Sequence, residues 1–291
     1  MKISFIVNYI YIDGGWSPWS KRVGGSEEMV IETSKRLAAR GHEVQVFHNG
    51  QHGTYEGVKY RDHSEYEPGD ITVNMNYPQF PVQGRTVLWT SLTEHPDLTQ
   101  FDAVCAISSY ALENTGIIHE NTYIVPPGYD KNKIYPGKKV LKRCLYASSP
   151  DRGLDTLRQI WPSVQLDHSD AELIVTYGGD GKEYTEEEMN EFYRTSDIWV
   201  HPCNGGELFG ITAVKAQAAG CIPVYFPIMA LQETVQGGVP CTDARDMYYQ
   251  LCRLLGDEDR KKELRDGLTT NHYVDWDESV TILESILKRY T

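Results

Sequence analysis

Residues 205–227, GGELFGITAVKAQAAGCIPVYFP, join a glycine pair to one carboxylate, Glu207, and then to a helix-like run of small residues. Glu207 is acceptor-only when ionised, which suits sugar hydroxyls. The run after Phe209 and Gly210 predicts a helix over 211–219 that starts at Ile211. Free amides at a helix start attract anions. Ala213, Ala216, Ala218 and Ala219 let that helix lie close to a sheet. Lys215 stands eight positions after the acid; its simpler role is a stem along apolar surface with its head in water.

Three other segments follow strand-like runs and could bind an anion or a base. In DGGWSPWSKRVGGSE (13–27), Gly24 and Gly25 lead straight into a helix start, with Lys21 and Arg22 nearby. Glycine allows close approach of a ligand to the backbone. In ASSPDRGLD (147–155), Ser148 ends a strand and Arg152 offers a fork of donors suited to phosphate. In YGGDGKEY (177–184), Tyr177 and Gly178 open a glycine loop that can pass a base or simply turn the chain. His95, in TSLTEHPD, follows a further strand and is a candidate base or sugar contact. His201-Pro202-Cys203 lacks companions at zinc spacing, so no metal site is expected. No GxGxxG and no GxSxG is present, which disfavours a dehydrogenase and a serine hydrolase, and no close acid pair marks a glycosidase, with pairing in space left open.

These segments need elements that hold them. β-rich runs at Ile3–Tyr9, Glu43–His48, Val58–Arg61, Ile71–Met75, Thr86–Trp89, Ala103–Ile107 and Tyr123–Val125 alternate with helix patterns after Ser26 and Ser109. PPGYDKNKIYPGKK (126–139) reads as a domain boundary. Alternation then resumes with strands at Cys144–Ser148, Glu172–Tyr177, Ile198–His201 and 222–226, and a helical tail begins at Asp243. Repeated β-α alternation predicts parallel sheets covered by helices. The expected fold class is α/β, with two Rossmann-like doubly wound domains facing a cleft, and ligands beyond the carboxyl ends of the strands.

The chain has 291 residues, a net charge of −13 and 40% hydrophobic residues. An acidic surface disfavours nucleic acid and anionic lipid as partners. The six cysteines, at 105, 144, 203, 221, 241 and 252, have no CxxC spacing and read as buried reduced thiols. MKISFIVNYI is too short to span a membrane and reads as a first strand, so no transmembrane anchor and a cytoplasmic location are expected.

In order and spacing the chain resembles glycosyltransferase family 4, retaining enzymes of the GT-B fold. The likeness runs through GGSE (24–27), RGHEVQVF (40–47), FDAVCAISSY (101–110), IVPPGYD (124–130), SSPDRGLDTL (148–157), AELIVTYG (171–178) and SDIWVHP (196–202). It is most specific in ELFGITAVKAQAAGCIPV (207–224), with LQETV (231–235) after it. The resemblance implies residues 1–130 as an acceptor domain, 131–275 as a donor domain, and a terminal helix over 276–291 crossing back to the first. It implies transfer of a hexose, of mannose or glucose type, from a nucleotide-diphosphate sugar to a glycan, lipid or protein-linked sugar acceptor, without cofactor or metal. GDP-mannose is favoured over UDP-glucose on family frequency alone.

By position, Gly24 and Gly25 would lie by the donor phosphates, and Arg152 would replace the family's phosphate-binding lysine. Glu207 matches the acid that meets sugar hydroxyls, and Phe209, Gly210 and Ile211 match the loop whose amides face the donor. Glu233 matches an acid of the next loop. The candidate set is Glu207 and His95 as catalytic, with Gly24, Gly25, Ser148, Arg152, Tyr177, Gly178, Phe209, Gly210, Ile211, Lys215 and Glu233 donor-binding.

The chain also departs from the family. Lys215 stands where a second Glu usually holds the ribose, and Ala147-Ser148 replaces a Gly-Arg pair. Lys215 would restore the positive charge lost with that arginine. The stretch between Gly178 and Glu186 is short for the family. A GT-B epimerase or phosphorylase, and a donor-binding protein without turnover, fit the same residues.

Overall fold

The computed structural model describes residues 1–7, 16–20, 23–77, 81, 83–177 and 183–291. The chain divides into two compact units, one of Met1–Gly128 with Val274–Thr291 and one of Tyr129–Tyr273. The first division falls inside the Pro/Gly/Lys stretch.

The first unit holds an eight-stranded sheet. Its strands are β1 (Lys2–Val7), β2 (Glu43–His48), β3 (Gly53–Tyr55), β4 (Val58–Asp62), β5 (Ile71–Met75), β6 (Thr86–Thr90), β7 (Ala103–Ala106) and β8 (Thr122–Ile124). Their order is β3-β4-β2-β1-β5-β6-β7-β8, parallel throughout except for the antiparallel edge pair β3–β4. Four of them, β1, β5, β6 and β7, are buried almost end to end. That is why they read as continuous apolar runs and not as alternating ones.

Helices α1 (Gly25–Ala39) and α2 (Ser109–Asn114) follow β1 and β7. A terminal helix of the same unit, Trp276–Tyr290, starts in a capping box between Asp275 and Glu278. It lies on α1, where Arg36 bonds Asp277 at 3.2 Å and Arg40 bonds Glu284 at 2.8 Å. Burial alone would raise the Glu284 carboxyl; Lys288, His42 and Arg40 outweigh it and hold it down at about 2.

His48, at the end of β2, is fully buried among Trp16, Tyr60 and His52, with ring centroids 5.1–5.6 Å away. Burial, with the charges of His52 and His63, pushes its pKa down to about 4. The unfolded ring titrates near 6.5, so the unfolded chain binds more protons between those values. Stability from this group is complete above pH 6.5 and falls as the pH drops toward 4, by about 3 kcal/mol in all. We expect the urea midpoint to fall between pH 7 and pH 5, and His48→Gln to flatten that slope. An unchanged slope in the variant would remove His48 as its cause.

The second unit has a five-stranded parallel sheet. Strands β9 (Val140–Tyr146), β10 (Glu172–Val175), β11 (Ser196–His201), β12 (Ile222–Tyr225) and β13 (Val239–Pro240) run in the order β10-β9-β11-β12-β13. Alternate residues face two cores. Cys144, Tyr146, Ile198, Val200, Ile222 and Val224 meet Leu157, Trp161, Met247 and Leu251 on one face. Leu145, Ala147, Trp199 and Tyr225 meet Tyr193, Ala213, Ala216, Ala219 and Leu231 on the other. The covering helices are α3 (Leu154–Asp167) and α7 (Ala244–Leu255) on the first face, and α4 (Glu186–Thr195), α5 (Ile211–Ala218) and α6 (Leu231–Thr234) on the second. This is the doubly wound arrangement expected from the alternation. Helix α8 (Glu258–Thr269) completes the unit. No helix among the described residues is long and apolar enough to cross a membrane. All six cysteines are free thiols.

Candidate functional site

The second unit gathers the strongest group of candidate functional side chains at the carboxyl end of β11. His201, the last residue of that strand, is fully buried. Its ring stacks on Trp199 at 4.6 Å and faces Tyr146 at 6.3 Å. Glu207 stands six residues on, its side chain 16% exposed, with Oε2 3.6 Å from His201 Nε2. That separation exceeds a hydrogen bond, so the contact is electrostatic. Burial alone would push the Glu207 carboxyl up. The His201 ring, the Arg152 guanidinium and the Phe209 amide outweigh it and hold the group below its ordinary range. Glu207 is therefore an ionised acceptor at neutral pH.

Arg152 ends a short helical turn, Pro150–Arg152, and donates from Nη1 to the Gly205 carbonyl at 2.8 Å. The structure thus brings Arg152 to the loop of Glu207, 55 positions along the chain from it. Cys203 lies in the same loop; burial pushes its thiol up, and it donates to Gly205 O at 3.2 Å. Gly153 has φ +94, and a Cβ there would overlap the Pro202 carbonyl oxygen. Both features demand glycine, because this is left-handed backbone and the neighbour is main chain. Gly153→Ala is expected to cost about 2–3 kcal/mol and to pull Arg152 off Gly205. Urea unfolding and donor affinity measured on the same variant check this; loss of neither contradicts it.

Helix α5 begins beyond Phe209. Its cap is Gly210 in left-handed conformation (φ +82), with no side-chain cap. Gly210 O accepts from Ala213 N and Val214 N, so the earlier amides, from Ile211, carry the positive end of the helix. Ala213, Ala216 and Ala219 are fully buried against the sheet, as their size suggested. Ile211, Thr212, Lys215 and Ala218 form the less buried face. Lys215 thus shares a face with Ile211, one turn further along. Ser148 and Tyr177 are half-buried beyond β9 and β10, and Gly178 lies outside the described residues. Glu233 is exposed on α6, whose start is tied to this loop through Ala230 N bonding Glu207 O at 3.2 Å.

In the first unit, Gly24 caps α1 and Gly25 is its first residue. The side chain of Glu27 folds back over Gly24. Burial raises the Glu27 pKa, while the backbone amides of Glu27 and Gly24 oppose the rise. The helix start expected to receive phosphate therefore already faces a carboxyl group of its own chain. His95 is bound on both sides, by Thr90 Oγ1 at 3.3 Å and Thr115 Oγ1 at 2.9 Å. Thr115 Oγ1 donates to Ala111 O, so it accepts from His95 Nε2–H, and Nδ1 receives the Thr90 hydroxyl proton. Burial lowers the His95 pKa. Both ring nitrogens of His95, the candidate base, are thus engaged by threonine hydroxyls in this structure.

Sequence reasoning missed three groups. Glu27, in the first turn of α1, carries no sequence signal beyond that of an ordinary first-turn acid. Asn76, buried with φ +66 at the end of β5, accepts from Ser91 N at 2.7 Å, and Ser91 Oγ meets Ser26 Oγ at 3.1 Å. His201 lacks companions at metal-ligand spacing in the sequence, yet His201, Cys203 and Glu207 offer ligand atoms within 4.8 Å of one another. The distance between His201 and Glu207 is closed by a loop, which spacing along a helix or finger cannot foresee.

No family model matches the chain. It is 28% identical over 171 residues to a phosphatidyl-myo-inositol mannosyltransferase of Mycolicibacterium smegmatis, a match spanning 49% of this chain and 43% of the relative. The chain thus matches less than half the relative's length. Among solved structures it is similar to WaaG, a glycosyltransferase involved in lipopolysaccharide biosynthesis (TM-score 0.69, 12% identity, 96% of this chain and 99% of that one). It is similar to Anabaena HepE in complex with UDP and glucose (TM-score 0.69, 13% identity, 99% and 100%). It is likewise similar to AviGT4, a glycosyltransferase involved in avilamycin A biosynthesis (TM-score 0.68, 15% identity, 99% and 96%). The fold is the GT-B fold of these glycosyltransferases.

Proposed function

We propose that this GT-B chain is a retaining glycosyltransferase that moves a hexose from a nucleotide-diphosphate sugar to a hydroxyl acceptor on a glycan, lipid or protein-linked sugar. The observation that carries the reading is Glu207: a largely buried carboxylate, held ionised beside Arg152 and next to the uncapped start of α5. A buried anion aimed at no cation within hydrogen-bond reach suits a ligand rich in hydroxyl donors. The amides from Ile211 and the Arg152 guanidinium would carry the diphosphate. The bond from the anomeric carbon to the phosphate oxygen breaks, a bond to the acceptor oxygen forms, and the acceptor proton passes to the departing phosphate. No protein nucleophile and no metal is required by this scheme. The name of the mannosyltransferase relative favours GDP-mannose as donor, and the UDP and glucose bound to HepE keep UDP-glucose as the next candidate.

Calorimetric titration with a panel of GDP- and UDP-sugars, followed by product analysis with an acceptor present, tests the reading. Absence of binding to every sugar nucleotide would refute it. Tight binding without turnover would favour a donor-binding protein. Lys215 is proposed to add charge toward the donor. Lys215→Ala is expected to weaken donor affinity, and Lys215→Glu to weaken it by roughly tenfold or more, since the sign at the site reverses. Equal affinity in all three proteins sinks that role.

A further inference from the structure

The loop carrying Glu207 also assembles a ligand set of which the proposed sugar transfer uses only the carboxylate. His201 closes β11, Cys203 follows Pro202, and Glu207 comes four residues later. Imidazole nitrogen, thiol sulfur and carboxylate oxygen lie within 4.8 Å of one another, and Nε2 is 3.6 Å from Oε2. Around a tetrahedral ion with bonds of about 2.0–2.3 Å, ligand atoms stand roughly 3.3–3.6 Å apart. The trio therefore needs to contract by at most roughly 1.2–1.5 Å. Among the described residues this is the one cluster of such side chains close enough to share an ion.

A second observation points the same way. His201 is 0% exposed, and neither of its ring nitrogens has a hydrogen-bond partner. A fully buried imidazole with both nitrogens unsatisfied is costly, and such groups call for a missing partner. Stacking on Trp199 and Tyr146 fixes the ring, so Nε2 stays directed at Glu207. The Cys203 thiol donates to the Gly205 carbonyl at 3.2 Å and also meets the Arg152 guanidinium, and on metal binding it would give up its proton. One imidazole, one thiolate and one carboxylate form a borderline-soft set. It suits Zn²⁺, with Co²⁺ as its spectroscopic substitute, and does not suit Mg²⁺ or Ca²⁺, which take shells of oxygen.

We propose that His201, Cys203 and Glu207 bind a Zn²⁺-type ion, and that this ion and the nucleotide sugar exclude each other because both need the Glu207 carboxylate. Only the exclusion rests on the donor-site reading above. On binding, Cys203 Sγ releases its proton to solvent, the neutral imidazole and the carboxylate supply two further bonds, and water takes the fourth position. Arg152, held on Gly205, keeps a positive charge near the loop and makes the site weaker than a closed four-ligand one. The ion would act as a reversible brake on transfer. By linkage, each ligand weakens the other by the same factor.

The test uses the full chain and Co²⁺. The expected result is a thiolate-to-cobalt charge-transfer band that saturates at one equivalent. Because five other thiols are present, Cys203→Ser is the deciding variant and Cys105→Ser its control. The band should vanish in the first and persist in the second. Glu207→Gln, which preserves shape, should weaken Co²⁺ binding at least tenfold. No band in the unmodified chain, or a band that survives Cys203→Ser, overturns the site. Added sugar nucleotide should raise the Co²⁺ concentration needed for half-saturation. A donor that binds without displacing Co²⁺ overturns the exclusion. A failure of every sugar nucleotide to bind would strike the transferase reading alone, since the cobalt band is read without them.

Discussion

Replacing Glu207 with alanine is expected to lower the proposed sugar transfer by roughly two orders of magnitude and to change the melting temperature little. In the proposed site the carboxylate would accept charge-assisted hydrogen bonds from sugar hydroxyls, each worth about 1.5–3 kcal/mol, and one or two of these would give that factor. The fold loses less. Glu207 is not hydrogen-bonded to His201, so its removal strands no donor that it had satisfied. The main-chain tie from Ala230 N to Glu207 O does not involve the side chain. Activity assays at saturating and limiting donor, with thermal unfolding of the same samples, separate the two effects. Transfer within a few-fold of the unmodified protein would remove Glu207 from the site. A melting temperature lowered as far as activity would make the residue structural.

The charge on Glu207 also sets a pH window. Its folded pKa lies below the unfolded value, so the group contributes stability above the ordinary carboxylate range and loses it as the pH falls through the folded pKa. Donor binding that depends on the ionised form should stay level down through the usual carboxylate range. Its acid limb should shift upward in Arg152→Gln, which removes one of the charges that hold the group ionised.

The core strands and α5 were legible because their physics is local. Strands buried on both faces are written as unbroken apolar runs, and Ala213, Ala216 and Ala219 announce a helix pressed on a sheet. Edges and short elements left no such trace. The edge strand β3 has three residues, none of them fully buried, and β13 has two. β9 begins at Val140, earlier than expected, because its first half is exposed or half-buried and carries Lys142 and Arg143. The site was legible as far as single segments could show it. Arg152 and Glu207 stand out by type and position, but their meeting at Gly205 depends on two loops made adjacent by neighbouring strands β9 and β11. In sequence, a histidine after a strand such as His95 looks the same whether its lone pair is open or engaged by a threonine. The fold of the Glu27 carboxyl over Gly24 belongs to one helix turn, yet a first-turn acid by itself reads as an ordinary dipole partner.

The largest loss of stability is expected from a residue on the same strand as His201 that takes no part in the chemistry. Asp197, on β11, is fully buried and accepts from Lys261 Nζ at 2.7 Å, from Arg265 and from Lys142 N at 3.0 Å. Lys261 is itself fully buried and reaches Glu258 at 2.6 Å, so Asp197 anchors α8 to the sheet. Asp197→Ala leaves a buried ammonium without its buried partner, and such a loss costs about 3–5 kcal/mol. Lys261→Met alone leaves Asp197 with Arg265 and a backbone amide, and should cost less. The double variant should be more stable than the sum of the two predicts, because the desolvation penalty disappears with the second charge. Asp197 and His201 are four residues apart on an extended strand, about 13 Å, so donor affinity measured well below the melting temperature should be unchanged. Urea unfolding of the four proteins, with donor titration of each, decides the matter. An Asp197→Ala cost below about 1 kcal/mol would place the pair among weak surface bridges. A parallel loss of donor affinity would mean that the anchor of α8 and the loop of Glu207 are coupled along β11.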